Sequence, residues 1–312
     1  MKQPLFAWLK IFRLQFYPMT FIAYSVGASI AYNFYGIFSF WIFSIGYVIV
    51  FLIELSAVLT NEYNDYNTDK INKNASMFTG GSQVLVQDLL TFGQVKKAIY
   101  IVLGLIFIFM LLLIGLADKD AVLPIIFLVL VGTFLAVGYT VPPIKFSYRG
   151  LGEIVVGITH SVFVIVCGYA FQTGILMNIW PYLISVPLFL AVFGAIMLAS
   201  VPDYEADMLA HKKTIAVILY PPLTAELSIA FIVSAAISYF LFWRFNVLSC
   251  SFMGKILILI GIHAVVLVAA IIRFVMANNY NRKINFILQL ALSYIMWFGV
   301  VPLICFLNTS PR

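Results

Sequence analysis

Stretches of about 20 apolar residues, separated by short polar loops, constrain this chain more than any other feature, because a span of the bilayer core needs about that length. They fall near 16–36, 39–60, 97–117, 121–140, 152–172, 180–200, 214–242, 255–277 and 285–307. The run at 214–242 exceeds one span and contains Pro221-Pro222, which predicts a bend or a tilt. Charged residues make up 10% of the 312, against about 25% in an ordinary soluble domain. The sequence therefore predicts an all-α integral membrane protein with nine transmembrane helices in a single domain over 1–312. Met1–Arg13 reads as a short basic segment, and the apolar run after it is long enough to be a span, so no signal peptide is needed to explain it.

Topology follows from the basic residues. With the N-terminus on one side, nine spans place 14 Lys and Arg residues on that side, from Lys2 to Lys283, and four on the other: Lys119, Arg244, Lys255 and Arg312. The positive-inside rule then puts the N-terminus in the cytoplasm of a multi-pass cell-membrane protein. The net charge of +6 is thus accounted for by loop anchors and does not imply nucleic-acid binding. Cys167, Cys250 and Cys305 show no metal spacing, and no disulfide framework is expected.

The acids carry more information, because the positive-inside rule does not ask for them on the cytoplasmic side. Asn61-Glu62-Tyr63-Asn64-Asp65-Tyr66-Asn67-Thr68-Asp69 closes the second apolar run. On a continuous helix Asn61, Asp65 and Asp69 lie four apart on one face, spanning roughly 12 Å, with Glu62 beside them. Far downstream Asp203 and Asp207 repeat the four-residue spacing, with Glu205 between them. Two such clusters at the same membrane face suit divalent cations, and Mg²⁺ binds through one or two carboxylates together with substrate phosphates. Asn61, Glu62, Asp65, Asp69, Asp203 and Asp207 are the candidate metal ligands, the four aspartates the candidate catalytic groups.

Candidate phosphate-binding residues flank these clusters. Gly80-Gly81-Ser82 suits a tight loop that brings backbone close to a ligand, although an ordinary turn reads the same way. The loop from Tyr139 to Gly150 carries Lys145 and Arg149, and His211-Lys212-Lys213-Thr214 follows the second cluster. Each of these cations serves equally as a phosphate ligand or as a membrane anchor. Lone His160 and His263 in apolar runs read as hydrogen-bonded interior residues, and His211 has no evident partner. Gly157 and Gly168 allow close helix packing. Glu54 and Glu226 are the acids deepest within the runs.

Nearly the whole chain resembles the UbiA superfamily of membrane aromatic prenyltransferases, which have nine transmembrane helices and two aspartate-rich cytoplasmic motifs. The family's Asn-Asp-x-x-Asp-x-x-x-Asp is matched by Asn61, Glu62, Asp65 and Asp69, with Glu replacing the first acid. Its Asp-x-x-x-Asp is matched by Asp203 and Asp207. Tyr148-Arg149-Gly150-Leu151-Gly152-Glu153 and Lys212-Lys213-Thr214 resemble the branch that prenylates 1,4-dihydroxy-2-naphthoate for menaquinone, with His211 where that branch commonly has glycine. Gln83 stands where some relatives have arginine after Gly-Gly-Ser.

The resemblance implies a prenyl diphosphate held by two Mg²⁺ ions on the two motifs, with the site facing the cytoplasm. It implies substrate contacts from Asn61, Gly81, Ser82, Tyr139, Lys145, Arg149, Lys212 and Lys213, and an aromatic acceptor that attacks an allylic cation. Another acceptor (4-hydroxybenzoate, homogentisate or a glycerol phosphate lipid) fits the same chemistry. A secondary transporter fits less well, since transporter sites lie near the midplane.

Overall fold

The computed structural model describes residues 3–248, Cys250 and 252–308. Lys2 and Arg312, both used in the charge count, lie outside the described residues. Every regular element among the described residues is helical. A short helix α1 (Gln3–Phe12) precedes the first long rod, α2 (Tyr17–Tyr35). Next come α3 (Phe40–Asn64), a one-turn α4 (Tyr66–Ile71), α5 (Phe92–Leu116) and α6 (Val122–Gly138). The following rod is α7 (Gly152–Ile158), a π turn over Thr159–Phe163, and α8 (Val164–Thr173). The last part comprises α9 (Ile179–Ser200), α10 (Tyr204–Leu209), α11 (Ile215–Leu219), α12 (Pro221–Arg244), α13 (Met253–Met276) and α14 (Asn285–Leu307).

Eight of these rods are long and apolar enough to cross a membrane. The remaining long helix, α2, has 19 residues, but polar groups such as Thr20, Ser25, Ser29 and Asn33 lower its hydropathy. Those groups turn inward: Thr20, Ser29 and Asn33 are buried. The Ser29 hydroxyl donates to Val26 O at 2.7 Å within the helix. Asn33 Nδ2 donates to Phe306 O on α14 at 3.2 Å. Neighbours that satisfy such groups are what allow a helix of low mean hydropathy to sit inside a bundle.

Several boundaries differ from the apolar windows, each for a local reason. Helix α5 starts at Phe92 rather than 97, because Thr91 and Gln94 form a reciprocal capping box that carries the helix through Lys96 and Lys97. The run at 214–242 is divided at Pro221, which opens α12 and lacks the N–H needed to continue α11. The basic segment ahead of the first span is itself a helix. α1 buries Ala7 and Ile11, leaves Leu5, Phe6 and Leu9 exposed, and is tied down where Lys10 Nζ donates to Gln87 Oε1 at 2.9 Å.

At the centre, α2 and α8 pack backbone to backbone. A Cβ on Gly27 would strike the main-chain carbonyl of Ile165, and one on Gly168 the carbonyl of Tyr24. Small residues permit this approach where lipid supplies no hydrophobic drive between helices. Buried tyrosines bond across helices: Tyr294 Oη donates to Ile232 O at 2.9 Å and Tyr239 Oη to Phe298 O at 3.2 Å. α5 instead presents Tyr100, Ile101, Phe107, Ile108, Leu111 and Leu112 outward, as a lipid-facing helix must.

The expectation of no disulfide is overturned. Cys250, in the loop after α12, and Cys305, near the end of α14, are joined, with their Cα atoms 5.4 Å apart. The two lie 55 residues apart in sequence, and only the packing of these helices brings them together. His263 accepts a bond from Trp297 Nε1 at 3.0 Å and its Nε2 lies 3.1 Å from Leu290 O, as an interior histidine should.

Candidate active site

The two acidic clusters meet at one end of the bundle, on short helices set against the ends of α3 and α9. The first is not one continuous helical face. α3 ends at Asn64, Asp65 sits at the break with φ −91° and ψ 8°, and α4 starts at Tyr66. The step bends the chain, and Asp69 N still donates to Asp65 O at 2.9 Å, so the four-residue spacing survives. The second cluster is similar: α9 ends at Ser200, Asp203 directly precedes α10, and Asp207 N donates to Asp203 O at 2.9 Å.

Each acid has different surroundings. Asp65 receives Tyr148 Oη at 2.8 Å and Lys212 Nζ at 2.7 Å. Lys212 Nζ also lies 4.0 Å from Asp207 Oδ1, so one buried ammonium bridges the two motifs. Asp203 accepts Asn72 Nδ2 at 2.8 Å and Gly80 N at 3.2 Å, which ties the loop after α4 to the second motif. Asp69 lies against Gly81, whose φ is +68°; a Cβ there would collide with the carboxylate. Glycine is required on both counts.

Glu62 is taken up by the loop beyond the first motif. It accepts both the Ser82 hydroxyl, at 2.6 Å, and Ser82 N, and so anchors the Gly80-Gly81-Ser82 loop. Glu205 is exposed and bonded to Asn281 Nδ2 at 2.8 Å.

The electrostatics point to missing positive charge. Burial, followed by the charges of Glu62 and Asp65, raises Asp69 to about 8. Burial and then Asp203 raise Asp207 to about 7 against the opposing pull of Lys212. Asp203 is raised by burial as well, and Lys212 is held well above its ordinary value by Asp65 and Asp207 in spite of its burial. Lys212 and Arg13 are the cations on the wall of a polar recess of about 140 Å³ that contains Asp65, Asp69, Asp203, Asp207 and Glu153. Asn61 Oδ1, on the same wall, is buried without a hydrogen-bond partner.

Among the described residues no three acidic, His or Cys side chains converge on one point as a complete metal cage. A partial set of carboxylates with an orphaned amide oxygen suits Mg²⁺, which keeps waters and takes phosphate oxygens to fill its shell.

The other predicted residues divide. Gly81 and Tyr139 line the recess, and Ser82 acts through Glu62. Arg149 is spent on Pro143 O at 2.7 Å, and Lys145 Nζ stacks over the Tyr148 ring at 4.1 Å. Lys213 is exposed, so of the adjacent lysines Lys212 is the one that enters. His211 adopts φ +56°, a left-handed position that glycine takes without strain.

Three residues at the site have roles that the sequence did not reveal, although Tyr148 stands in the stretch that resembles the menaquinone branch. Arg13 lines the recess and donates to Phe78 O at 3.0 Å. Asn72 holds Asp203, and Tyr148 holds Asp65. Nothing in their spacing marks them, since each comes from a different loop.

Beneath the recess a second cavity, of about 490 Å³, runs among α2, α3, α6, the π turn, α9 and α14. Its wall is mostly apolar, with Val50, Ile53, Phe163, Val192 and Ile295 among its residues. Arg13, Asn61, Phe78, Tyr139, Ile196 and Ala199 line both spaces, so the polar recess adjoins the apolar one. The arrangement accepts an anionic head on an apolar chain.

Comparison with known proteins agrees with this geometry. The sequence profile of the UbiA prenyltransferase family matches residues 20–306. No curated protein matches the chain. Among solved structures, one described as giving insights into digeranylgeranylglyceryl phosphate synthase in membranes is 17% identical, with a TM-score of 0.60 over 99% of this chain and 100% of the other. A UbiA homologue from Archaeoglobus fulgidus bound to DMAPP and Mg²⁺ is 14% identical, with a TM-score of 0.56 over 96% and 100%. The apo structure of a UbiA homologue from Aeropyrum pernix K1 is 14% identical, with a TM-score of 0.63 over 92% and 96%.

Proposed function

The chain belongs to the UbiA prenyltransferase family, a family of membrane enzymes, and on that premise we propose that it transfers a prenyl group from a prenyl diphosphate with Mg²⁺, at the cytoplasmic face. The observation that carries the reading is the shared wall of an acid-lined recess and an apolar cavity. The diphosphate takes the recess and the isoprenoid chain the cavity.

Asn61, Asp65, Asp69 and Asp207 are the residues we assign to the cations, one ion to each motif, while Asp203 and Glu62 hold the Gly80-Gly81-Ser82 loop in place. Bound there, Mg²⁺ neutralises the diphosphate and stabilises it as a leaving group. Lys212 adds a buried positive charge between the motifs, where developing negative charge on the leaving oxygens is stabilised most. Arg13 stands at the junction of the two spaces and supplies a second. The apolar wall excludes water from the allylic cation left when the C–O bond breaks, so that the acceptor attacks C1 in its place and gives up its proton to the released diphosphate. Lys145, Arg149 and Lys213 take no part in this scheme.

The acceptor is read differently from the sequence motifs alone. Tyr148 and Lys212, two of the residues that resemble the menaquinone branch, both hold Asp65, so they report on the metal and the diphosphate and not on the acceptor. The whole-length likeness to a digeranylgeranylglyceryl phosphate synthase favours a glycerol phosphate lipid over 1,4-dihydroxy-2-naphthoate. In the nine-span topology we propose, with the N-terminus in the cytoplasm, the disulfide of Cys250 and Cys305 faces the outer side, where disulfides persist.

The test is transfer by protein in nanodiscs, with geranylgeranyl diphosphate and Mg²⁺, offering a glyceryl phosphate ether lipid, 1,4-dihydroxy-2-naphthoate, 4-hydroxybenzoate and homogentisate in parallel. Product with the glyceryl lipid, abolished by chelation, is expected. Product with a ring acceptor alone overturns the acceptor, and no Mg²⁺-dependent product with any of them overturns the transferase reading.

A further inference from the structure

One polar feature of the apolar cavity has no part in diphosphate binding. Glu54 lies on α3, seven residues before Asn61. Two helical turns separate the two on nearly the same face, which sets Glu54 about 10 Å further into the bundle. Its side chain is 9% exposed and lines the cavity. Oε1 lies 3.5 Å from His160 Nε2. Oε2 is buried and has no hydrogen-bond partner.

His160 comes from the π turn, an interruption that recurs at functional positions because the added residue re-aims the side chains around it. Its Nδ1 lies 3.1 Å from Val156 O and 3.1 Å from Thr159 Oγ1. The Thr159 hydroxyl already donates to Val155 O at 2.8 Å. Both ring nitrogens thus face oxygen acceptors, and a ring carrying a proton on each satisfies both. The pair with Glu54 is then balanced in charge, and what Oε2 lacks is a hydrogen-bond donor, not a cation. Thr20 Oγ1, on the same cavity wall, is also buried and unpartnered.

An ionisable pair this deep in a bilayer is costly. Packing does not explain it, since half of the carboxylate is left unsatisfied in a mostly apolar wall. We propose that Glu54 and His160 form a hydroxyl-binding subsite at the inner end of the cavity. Oε2 of Glu54 accepts the hydroxyl hydrogen of a substrate with an apolar body, and His160 holds the other oxygen in place. An anionic substituent is excluded there, because beside a pair already balanced in charge it would be an unpaired charge in a low-dielectric wall. An acceptor that carries a carboxylate or phosphate therefore keeps that group toward Arg13 and Lys212 and presents a neutral hydroxyl to Glu54. Naming the ligand an acceptor rests on the transferase reading; the hydroxyl preference does not.

Two pairs of probes test it by equilibrium binding to the full chain in nanodiscs, with binding to empty nanodiscs subtracted. 1-Naphthol is compared with 1-methoxynaphthalene, and 1-O-octadecylglycerol with its dimethyl ether. The hydroxyl member of one pair is expected to bind about tenfold more tightly, as a hydrogen bond to a buried charge allows. The pair that shows it identifies an aromatic or a glyceryl substrate. In Glu54→Leu the preference should fall to within about twofold, and in the isosteric Glu54→Gln it should fall partway.

Equal binding within both pairs by the unaltered protein overturns the subsite, as does a preference undiminished in both variants. Transfer assayed in the same nanodiscs separates the two readings. Mg²⁺-dependent transfer without a hydroxyl preference removes the subsite alone. A hydroxyl preference without transfer overturns the transferase reading and leaves the subsite standing.

Discussion

Lys212 sets the character of the site, because it is one buried cation shared by two carboxylates on separate motifs. Replacing Asp65 or Asp207 with Asn removes a carboxylate charge that we assign to the cations, and prenyl transfer should fall at least about 100-fold. Steady-state kinetics of each variant, with monodisperse elution as a check on folding, measures it. Lys212→Met should raise KM for the prenyl diphosphate about tenfold or more, through loss of a charge-assisted bond. Ser82→Ala acts differently: it leaves buried Glu62 with one donor fewer and should cost about 1–3 kcal/mol of stability, read as a lower Tm, before any effect on the chemistry.

The raised carboxyls give a pH dependence with a definite sign. Asp69 at about 8 and Asp207 at about 7 bind protons more tightly folded than unfolded. Metal-free stability from these groups therefore falls as pH rises from about 4 through 7 and 8. Mg²⁺ needs the deprotonated forms. The rise in Tm on adding Mg²⁺ should be larger at pH 8 than at pH 6, and a thermal-shift titration at the two pH values checks it.

At the scale of elements, close packing is concentrated between α2 and α8. Gly168→Val puts a side chain against the Tyr24 carbonyl, which is main chain and cannot rotate away, and should destabilise the protein by about 3 kcal/mol, whereas Gly104→Val, where a Cβ meets nothing within 4 Å, should be nearly neutral. The comparison of the two melting temperatures isolates the contact from the loss of a glycine. The broken elements serve the chemistry. The break at Asp65 and the short α10 let Asp65 and Asp207, carboxylates of separate motifs, meet a bridging lysine from the loop beyond α10. The π turn delivers His160 to Glu54.

The whole molecule has a polar end and a disulfide end. Nine spans with the N-terminus inside predict that a cysteine introduced at Lys73 is labelled by an impermeant maleimide only after the cells are opened, and one at Lys119 in intact cells. Reversal of the two patterns would invert the topology. The helical architecture was legible in the chain, because a bilayer admits few ways to satisfy backbone groups: a run of about 20 apolar residues has to be helical. The acidic motifs were legible too, since carboxylates at the ends of such runs stand out against an apolar background.

The sequence by itself determined the helices, their order and the two aspartate motifs, because hydropathy and residue spacing are local properties. Only the tertiary structure decided that Lys212 and not Lys145, Arg149 or Lys213 enters the recess, that Glu62 holds a loop, that Cys250 reaches Cys305, and that His160 faces Glu54. Each of these depends on how separate helices and loops approach one another. That approach is set by the packing of whole helix surfaces, which no short stretch of sequence encodes.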